Sequence, residues 1–214
     1  MHPNIHVARR NNDSTTQIIF GCKVNALVEE CTLDSVEVYN AVTNECRMVG
    51  KLLHSVHSAG NCVQYRRTLY IFGGADEYHS NVRHVRMFDT ERNICTILTT
   101  QMPRPLRLQR AVLWATSVIL LGRDTSFIFN IETETWEERE QFKTDVVHFG
   151  LVLENERVFA IGGGIKETGK CSWKCRNDVR FVPIRRILED KPIHWKIHAQ
   201  LPKPCLVRAY ARIV

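Results

Sequence analysis

The sequence predicts an all-β fold of about four repeated units, either a solenoid or a β-propeller with four-stranded blades. The first observation is a short apolar run that ends in glycine and recurs at intervals of roughly 40–50 residues, the period of such blades. The second observation is a turn frame, in which an aromatic residue is followed by Asn or Asp and then by Cys or Trp. A repeat of this length cannot bury its own apolar face, so neighbouring units must pack on each other. The aligned glycines are Gly21, Gly73, Gly122 and Gly162.

The second unit, residues 57–103, shows all of its strands. Residues 82–88 alternate apolar and polar side chains, the period of a half-buried strand. Asp89 and Asn93 mark the following turn, because such side chains bond their own backbone and tolerate unusual dihedrals. The pair Gly73-Gly74 ends the second strand, where glycine permits a positive φ and a close backbone approach. The expected strands cover residues 60–65, 68–72, 82–88 and 94–98.

The other units show the same signals in the same order. The first unit is expected to lack its first strand, and residues 1–17 are interpreted as a polar leader or linker. Residues 208–214 resemble the start of a unit and are predicted to close the ring on the first unit, which would remove exposed sheet edges. The charged insertion 185–191 is expected to hold at most one short turn of helix. The units cover residues 18–53, 57–103, 110–140 and 148–202, within one repeat domain of residues 18–214.

These repeats resemble the kelch-repeat family. The resemblance implies a kelch-type β-propeller; because the family usually has six blades, we interpret the chain as a short, partial or partner-completed propeller. Two units carry Cys46 and Cys95 where the family has tryptophan, and we expect these cysteines to fill the same place between units with less volume. The residues that carry the resemblance are Gly73-Gly74, Gly162-Gly163, the aromatic–Asn/Asp turns, Met102-Pro103, Leu201-Pro202, Trp136 and Trp195, whereas Cys22 and Arg123 replace the second glycine in two units.

The composition allows a substantial core and predicts a cytoplasmic protein. Hydrophobic residues make up 44% of the 214 residues. The longest apolar run, residues 111–121, is well short of the roughly 20 residues that a membrane-spanning helix needs, and the sequence shows no secretory signal. The eight cysteines are therefore expected to be reduced thiols. Cys171 and Cys175 have a zinc-like spacing but no second pair, so we predict neither a metal nor another cofactor.

The sequence does not predict an enzyme. It contains neither the Gly-x-Ser-x-Gly pattern of a nucleophile elbow nor the Lys-Ser/Thr of a phosphate-binding loop after Gly162-Gly163-Gly164. The enzymatic alternative is a galactose-oxidase-like copper enzyme, which needs Tyr and His ligands beside a Cys-linked Tyr. The tyrosines of this chain fall mostly in predicted strands, where packing explains them.

Candidate partner-binding residues lie at the start of the predicted innermost strands. The resemblance implies that this position is near the mouth of the central channel, on the face that receives partners. Arginine there would favour a carboxylate or phosphate, while the histidines are alternatively structural strand caps. Alignment of the units puts His57, Arg110, His148 and Arg208 at this position. A basic loop that would add long-range attraction contains Lys166, Lys170, Lys174 and Arg176.

The resemblance implies a protein–protein interaction module similar to the kelch domain of BTB-kelch substrate adaptors of cullin-RING ubiquitin ligases. The net charge of +6 favours protein clients with acidic or phosphorylated segments. Nucleic acid is not an expected partner, because aromatic-rich RNA-binding signatures are missing, and neither is a membrane. We expect these residues to contain no BTB domain, so that ligase recruitment would require pairing with a BTB-containing protein. The alternative binding function is an actin-associated kelch scaffold.

Overall fold

The computed structural model describes residues 5–10, 13–21, 23–24, 30–31, 33–40, 42–56, 61–78, 80–106, 109–123, 125–140, 142–166 and 173–206. The chain divides into two compact units, Met1–Leu108 and Gln109–Val214. In the described residues each unit contains two four-stranded antiparallel sheets. No helix in this part of the chain is long and apolar enough to cross a membrane.

The first sheet of unit 1 (sheet 1) has the strand order β1-β2-β5-β6, and β3 pairs with β4 in a short ribbon beside it. The structure corrects the expectation of a leader at residues 1–17: β1 is the first strand of this sheet, with Val7 opposite Ile19. The place assigned to residues 208–214 in the first unit is thus taken by β1, and residues 208–214 lie outside the described residues. The strands are β1 (Ile5–Arg10), β2 (Asp13–Gly21), β3 (Lys23–Val24), β4 (Glu30–Cys31), β5 (Leu33–Asn40) and β6 (Glu45–Val56).

The second sheet of unit 1 (sheet 2) closely follows the strands predicted from sequence. Its order is β10-β9-β8-β7. The third strand begins at Val85 instead of Val82, because the preceding residues bond to the glycine pair: Val82 N donates to Gly74 O, and His84 O accepts from Gly73 N. The strands are β7 (Asn61–Tyr65), β8 (Thr68–Phe72), β9 (Val85–Asp89) and β10 (Ile94–Ile97).

The first sheet of unit 2 (sheet 3) is a simple meander in the order β11-β12-β13-β14. Ala115 has a φ of 51° and turns the chain tightly between the first two strands. β12 and β13 are buried along nearly their whole length, as their continuous apolar sequence predicts. The strands are β11 (Arg110–Trp114), β12 (Ser117–Leu121), β13 (Ser126–Asn130) and β14 (Thr135–Glu138).

The second sheet of unit 2 (sheet 4) has the order β15-β16-β19-β20, with the ribbon β17-β18 inserted after its second strand. The short helix α1 (Ile184–Leu188) occupies the start of the charged insertion, as the sequence predicted. It forms because Ile184 and Ile187 are buried while the intervening arginines face solvent. The strands are β15 (Gly150–Glu154), β16 (Arg157–Ile161), β17 (Gly164–Lys166), β18 (Trp173–Cys175), β19 (Asp178–Pro183) and β20 (Lys196–Gln200).

Each unit has a core between its own two sheets. In unit 1, Val36 and Val38 of sheet 1 belong to one buried cluster with Leu69, Ile71 and Phe88 of sheet 2. In unit 2, residues of sheets 3 and 4 form a second cluster, which α1 extends. Burial of apolar area from both partners is the main stabilising contribution of such packing. The central members of the second cluster are Ile119, Ile128, Leu151, Val158 and Val182.

The aromatic and cysteine positions are more varied than their repeat alignment predicts. Cys95 is buried in the core between sheets 1 and 2, as expected, but Cys46 is exposed, and its thiol donates to Glu37. Trp136 is half-buried against two rings of its own sheet, with the Phe129 centroid 4.6 Å away. Trp195 stacks on Phe142 of the connection between sheets 3 and 4, at 5.8 Å.

Candidate functional site

Two sheets end their second strand in the same backbone arrangement, which we call the glycine end (Gly73-Gly74 in sheet 2, Gly162-Gly163 in sheet 4). All four glycines have positive φ. In sheet 2 the two amides donate to His84 O and Leu106 O, at 3.0 and 2.9 Å. In sheet 4 they donate at the same distances to Asp178 O and Cys205 O. These matched hydrogen bonds establish which residues of the two sheets are equivalent.

The glycine end of sheet 4 brings three connections together, those at residues 142–149, 164–177 and 201–206. Gly164 pairs with Val147 of the first connection, and Arg176 N donates to Gly163 O. Cys205 of the third connection donates its amide to Arg176 O and accepts from Gly163. Connections held by a rigid sheet in this way are the usual position of binding residues.

Four charged side chains form an ionic network at this end, which we call the Asp145 network (Asp145, Arg176, Asp178 and Arg180). Arg176 donates to both carboxylate oxygens of Asp178, at 2.9 and 2.6 Å, and also reaches Asp145. Arg180 lies 3.4 Å from Asp145 and 3.7 Å from Asp178. Its guanidinium also lies over the ring of Trp195, 5.6 Å from the centroid. The network therefore links the first two connections to β19 and to the segment that precedes β20.

Burial and neighbouring charges shift the pKa values of the Asp145 network in different directions. The hydrogen bonds from Arg176 lower the pKa of Asp178, and the positive charge of Arg180 lowers it further. The same hydrogen bonds raise the pKa of Arg176. Burial lowers the pKa of Arg180, and the charge of Arg176 adds to this effect. Since Asp178 and Arg180 are both buried, this pair has mainly a structural role, whereas the Asp145 side chain is 55% exposed and faces solvent.

Arg110 is buried at the start of β11 rather than presented to a partner. Its residue exposure is 5%, and its Nε donates to Phe149 O at 2.7 Å. One terminal nitrogen donates to Gln109 O at 3.1 Å. The side chain therefore joins the first strands of sheets 3 and 4, which corrects the prediction that it faces a carboxylate or phosphate ligand.

The other sequence-predicted binding residues are only partly described. His148 is half-buried directly before Phe149 and has a φ of 52°. Lys174 is exposed on β18, and Arg176 belongs to the Asp145 network. For Lys166 the structure describes only the backbone, in β17. His57, Lys170 and Arg208 lie outside the described residues.

The sequence analysis missed Asp145, Asp178 and Arg180. A signal for the last two was present in the sequence, because Asp178 and Arg180 stand on either side of Val179 and would share one face of a strand, where a buried charge requires an opposite charge nearby. Among the described residues, no group of three or more His, Cys, Asp or Glu side chains could hold a metal ion. Cys175, half of the zinc-like pair, is half-buried, and Cys171 lies outside the described residues.

Comparisons with known proteins support the repeat assignment. No family model matches the chain. Kelch-like protein 25 of Xenopus tropicalis is 25% identical over 138 residues, which are 62% of this chain and 23% of the relative. The chain thus spans about a quarter of the length of this curated relative.

A solved structure, that of YjhT, shows the same fold. It superposes with a TM-score of 0.70 at 13% identity, over 94% of this chain and 71% of that chain. Because YjhT is a kelch-type propeller, the similarity confirms the predicted fold class, nearly all-β with four-stranded antiparallel sheets. The sequence repeats and the matched glycine ends agree with both similarities, to a kelch-like relative and to a kelch-type propeller.

Proposed function

We propose that the chain is a protein-binding module that recognises client proteins, as the substrate-recognition part of a cullin-RING ubiquitin ligase adaptor of BTB-kelch type. The observation that carries the proposal is the similarity to Kelch-like protein 25. Pairing with a BTB-containing protein would link the bound client to the cullin. On this proposal the chain binds without catalysing a reaction.

The glycine end of sheet 4 is the surface that we assign to the client. It displays the exposed Lys174 of β18. It also displays the exposed Lys203 of the connection at residues 201–206, whose Cys205 accepts from Gly163. The Asp145 network holds the connections beneath them, so the charges stand on a defined framework and less entropy is lost on binding. Exposed cations of this kind fit an acidic or phosphorylated segment of a client.

The test is recovery of partners from cells by proximity labelling, with the wild-type chain beside the variant Lys174→Glu/Lys203→Glu. The matched control is Lys191→Glu/Lys196→Glu, which makes the same change in net charge. Both of its lysines are exposed, Lys191 shortly after α1 and Lys196 at the start of β20. We expect the first variant to lose a set of specific client proteins and the control to keep them. Partner sets that are identical in all three chains would refute the proposed surface.

Ubiquitination of the clients tests the adaptor role separately from client binding. Recovered clients should carry more ubiquitin when the wild-type chain is expressed than when the Lys174→Glu/Lys203→Glu variant is. Co-sedimentation with purified filamentous actin, without client ubiquitination, would instead support the scaffold function. A tightly bound copper in the purified protein would refute the non-enzymatic assignment.

A further inference from the structure

Unit 1 contains a buried arginine, Arg86, with no carboxylate partner among the described residues, whereas its equivalent in unit 2, Arg180, lies near two carboxylates. Arg86 lies opposite Ile71 in sheet 2, and Arg180 lies opposite Ala160 in sheet 4. Both partners stand two residues before the first glycine of their glycine end, so the two arginines occupy equivalent positions. Both are buried, with exposures of 1% and 6%.

The difference lies in the residue two positions before each arginine. Asp178 is that residue in sheet 4, and it lies 3.7 Å from Arg180. His84 is that residue in sheet 2, and its backbone oxygen accepts from Gly73 just as that of Asp178 accepts from Gly162. Sheet 2 therefore has an imidazole in the place of the carboxylate.

The surroundings of Arg86 supply backbone oxygens and imidazoles, and no carboxylate among the described residues. Arg86 donates to two backbone carbonyls, from Nε to Leu53 O at 3.0 Å and from Nη1 to Gly73 O at 3.3 Å. The rings of His54 and His84 stack with their centroids 6.1 Å apart. His84 Nδ1 is buried without a hydrogen-bond partner among the described residues. We call His54, His84 and Arg86 the histidine cluster.

Electrostatics at the histidine cluster agree with this geometry. Burial lowers the pKa of His84, and the positive charges of Arg86 and His54 lower it further. Among the described residues the thiol of Cys95 also acts on Arg86, and burial raises the pKa of this thiol, so the thiol stays neutral. The backbone also departs from the extended form here, since His54 has a φ of 61° within β6. Such departures occur often at binding sites.

We propose that the histidine cluster binds an oxyanion, a carboxylate or phosphate group, which supplies the negative charge that the Asp178 carboxylate supplies in sheet 4. The group would contact the imidazoles of His54 and His84, and Arg86 beneath them would supply positive potential. It would also give the buried Nδ1 of His84 a partner. The site uses none of the lysines assigned to the client in unit 2, so either proposal can fail without the other.

The first experiment follows the histidine imidazole nitrogens of the full chain by NMR during titration with inorganic phosphate, with sodium chloride at matched ionic strength as the control. His54→Gln and His84→Gln variants assign the signals. We expect phosphate to shift His54 and His84 and to raise the pKa of His84, because a bound anion stabilises the imidazolium. His198 of β20, which packs against Phe159 and Phe181, should not respond.

A second arm distinguishes a free oxyanion from an acidic side chain of another protein. A short blocked peptide with one glutamate is compared with its glutamine counterpart. Shifts with phosphate indicate a site for free oxyanions, and shifts with the glutamate peptide but not with phosphate indicate a side-chain ligand. If neither probe shifts the two histidines beyond the chloride control, the proposal is wrong.

The matched variant is His84→Asp, which installs in sheet 2 the acid that sheet 4 has. We expect it to bind phosphate at least about tenfold more weakly than wild type, because it removes one charge-assisted contact and adds a repulsive charge. A thermal midpoint at or above that of wild type would show that the variant is folded. If it does not fold, His84→Gln takes its place, with a smaller loss expected. A folded variant that binds phosphate as tightly as wild type would overturn the proposal.

Discussion

A single residue, Gly163, allows the connections of unit 2 to meet. Its φ is 94°, a conformation that side chains with a Cβ rarely adopt. A Cβ at this position would lie 2.9 Å from Phe149 Cβ and 3.0 Å from Val147 O. The contacts are with a Cβ atom and a backbone oxygen, so they cannot be relieved by turning a flexible side chain. The glycine pair of the repeat signature thus has a packing reason as well as a conformational one.

The substitution Gly163→Ala should therefore destabilise the protein. We expect at least about 1–3 kcal/mol from the backbone conformation alone, with the close contacts adding to it. Chemical denaturation measured by fluorescence would give the difference, and Lys191→Ala, a change at an exposed lysine, serves as the control. A Gly163→Ala protein as stable as the control would show that the local backbone adopts another conformation at little cost.

At the scale of elements, the sheets differ sharply between inner and outer strands. In β12 every residue except Ser117 is buried, whereas all five residues of β20 are exposed. β20 is also an edge strand, paired only with β19 among the described strands. Its Lys196 is the kind of charge that protects an open edge from pairing with another chain.

Local stability should follow this difference. We expect the amides of β20 to exchange with deuterium much faster than those of β12 under native conditions, because few buried apolar contacts resist local opening of an outer strand. Hydrogen exchange read by NMR or mass spectrometry gives both rates in one experiment. Equal protection of the two strands would mean that β20 opens only together with the rest of its sheet.

At the scale of the whole molecule, individual inner strands were predictable from sequence, but the pairing of distant segments was not. β8 matches its predicted run, and β12 and β16 end directly before the aligned Gly122 and Gly162, because apolar pattern and glycine are encoded within a few residues. The pairing of β1 with β2 was missed because residues 1–17 are polar and little in their pattern marks a strand. Strand propensity is weak information when tertiary pairing decides the outcome.

The candidate sites were harder to predict because they depend on contacts between distant residues. Arg110 was expected to face a ligand, yet its guanidinium is bound by the carbonyl of Phe149, 39 residues along the chain. Arg180 finds Asp145 at a separation of 35 residues. A sequence shows that a charge must be paired when buried, but whether it is buried and what pairs with it follow only from the packing of sheets.

The two-unit organisation leads to a final prediction. Both core clusters are internal to their units: one contains residues between 36 and 95, the other residues between 112 and 187. In repeat proteins stability is approximately a sum of repeat and nearest-neighbour terms.

A fragment of residues 109–214 should therefore retain a β-type circular dichroism spectrum and melt cooperatively, because sheets 3 and 4 still bury their apolar faces against each other. A fragment of residues 109–140, with sheet 3 alone, should not, since its apolar face loses its partner. Thermal melts of both fragments beside the full chain decide the matter, and a two-sheet fragment without a cooperative transition would show that each unit needs the other to fold.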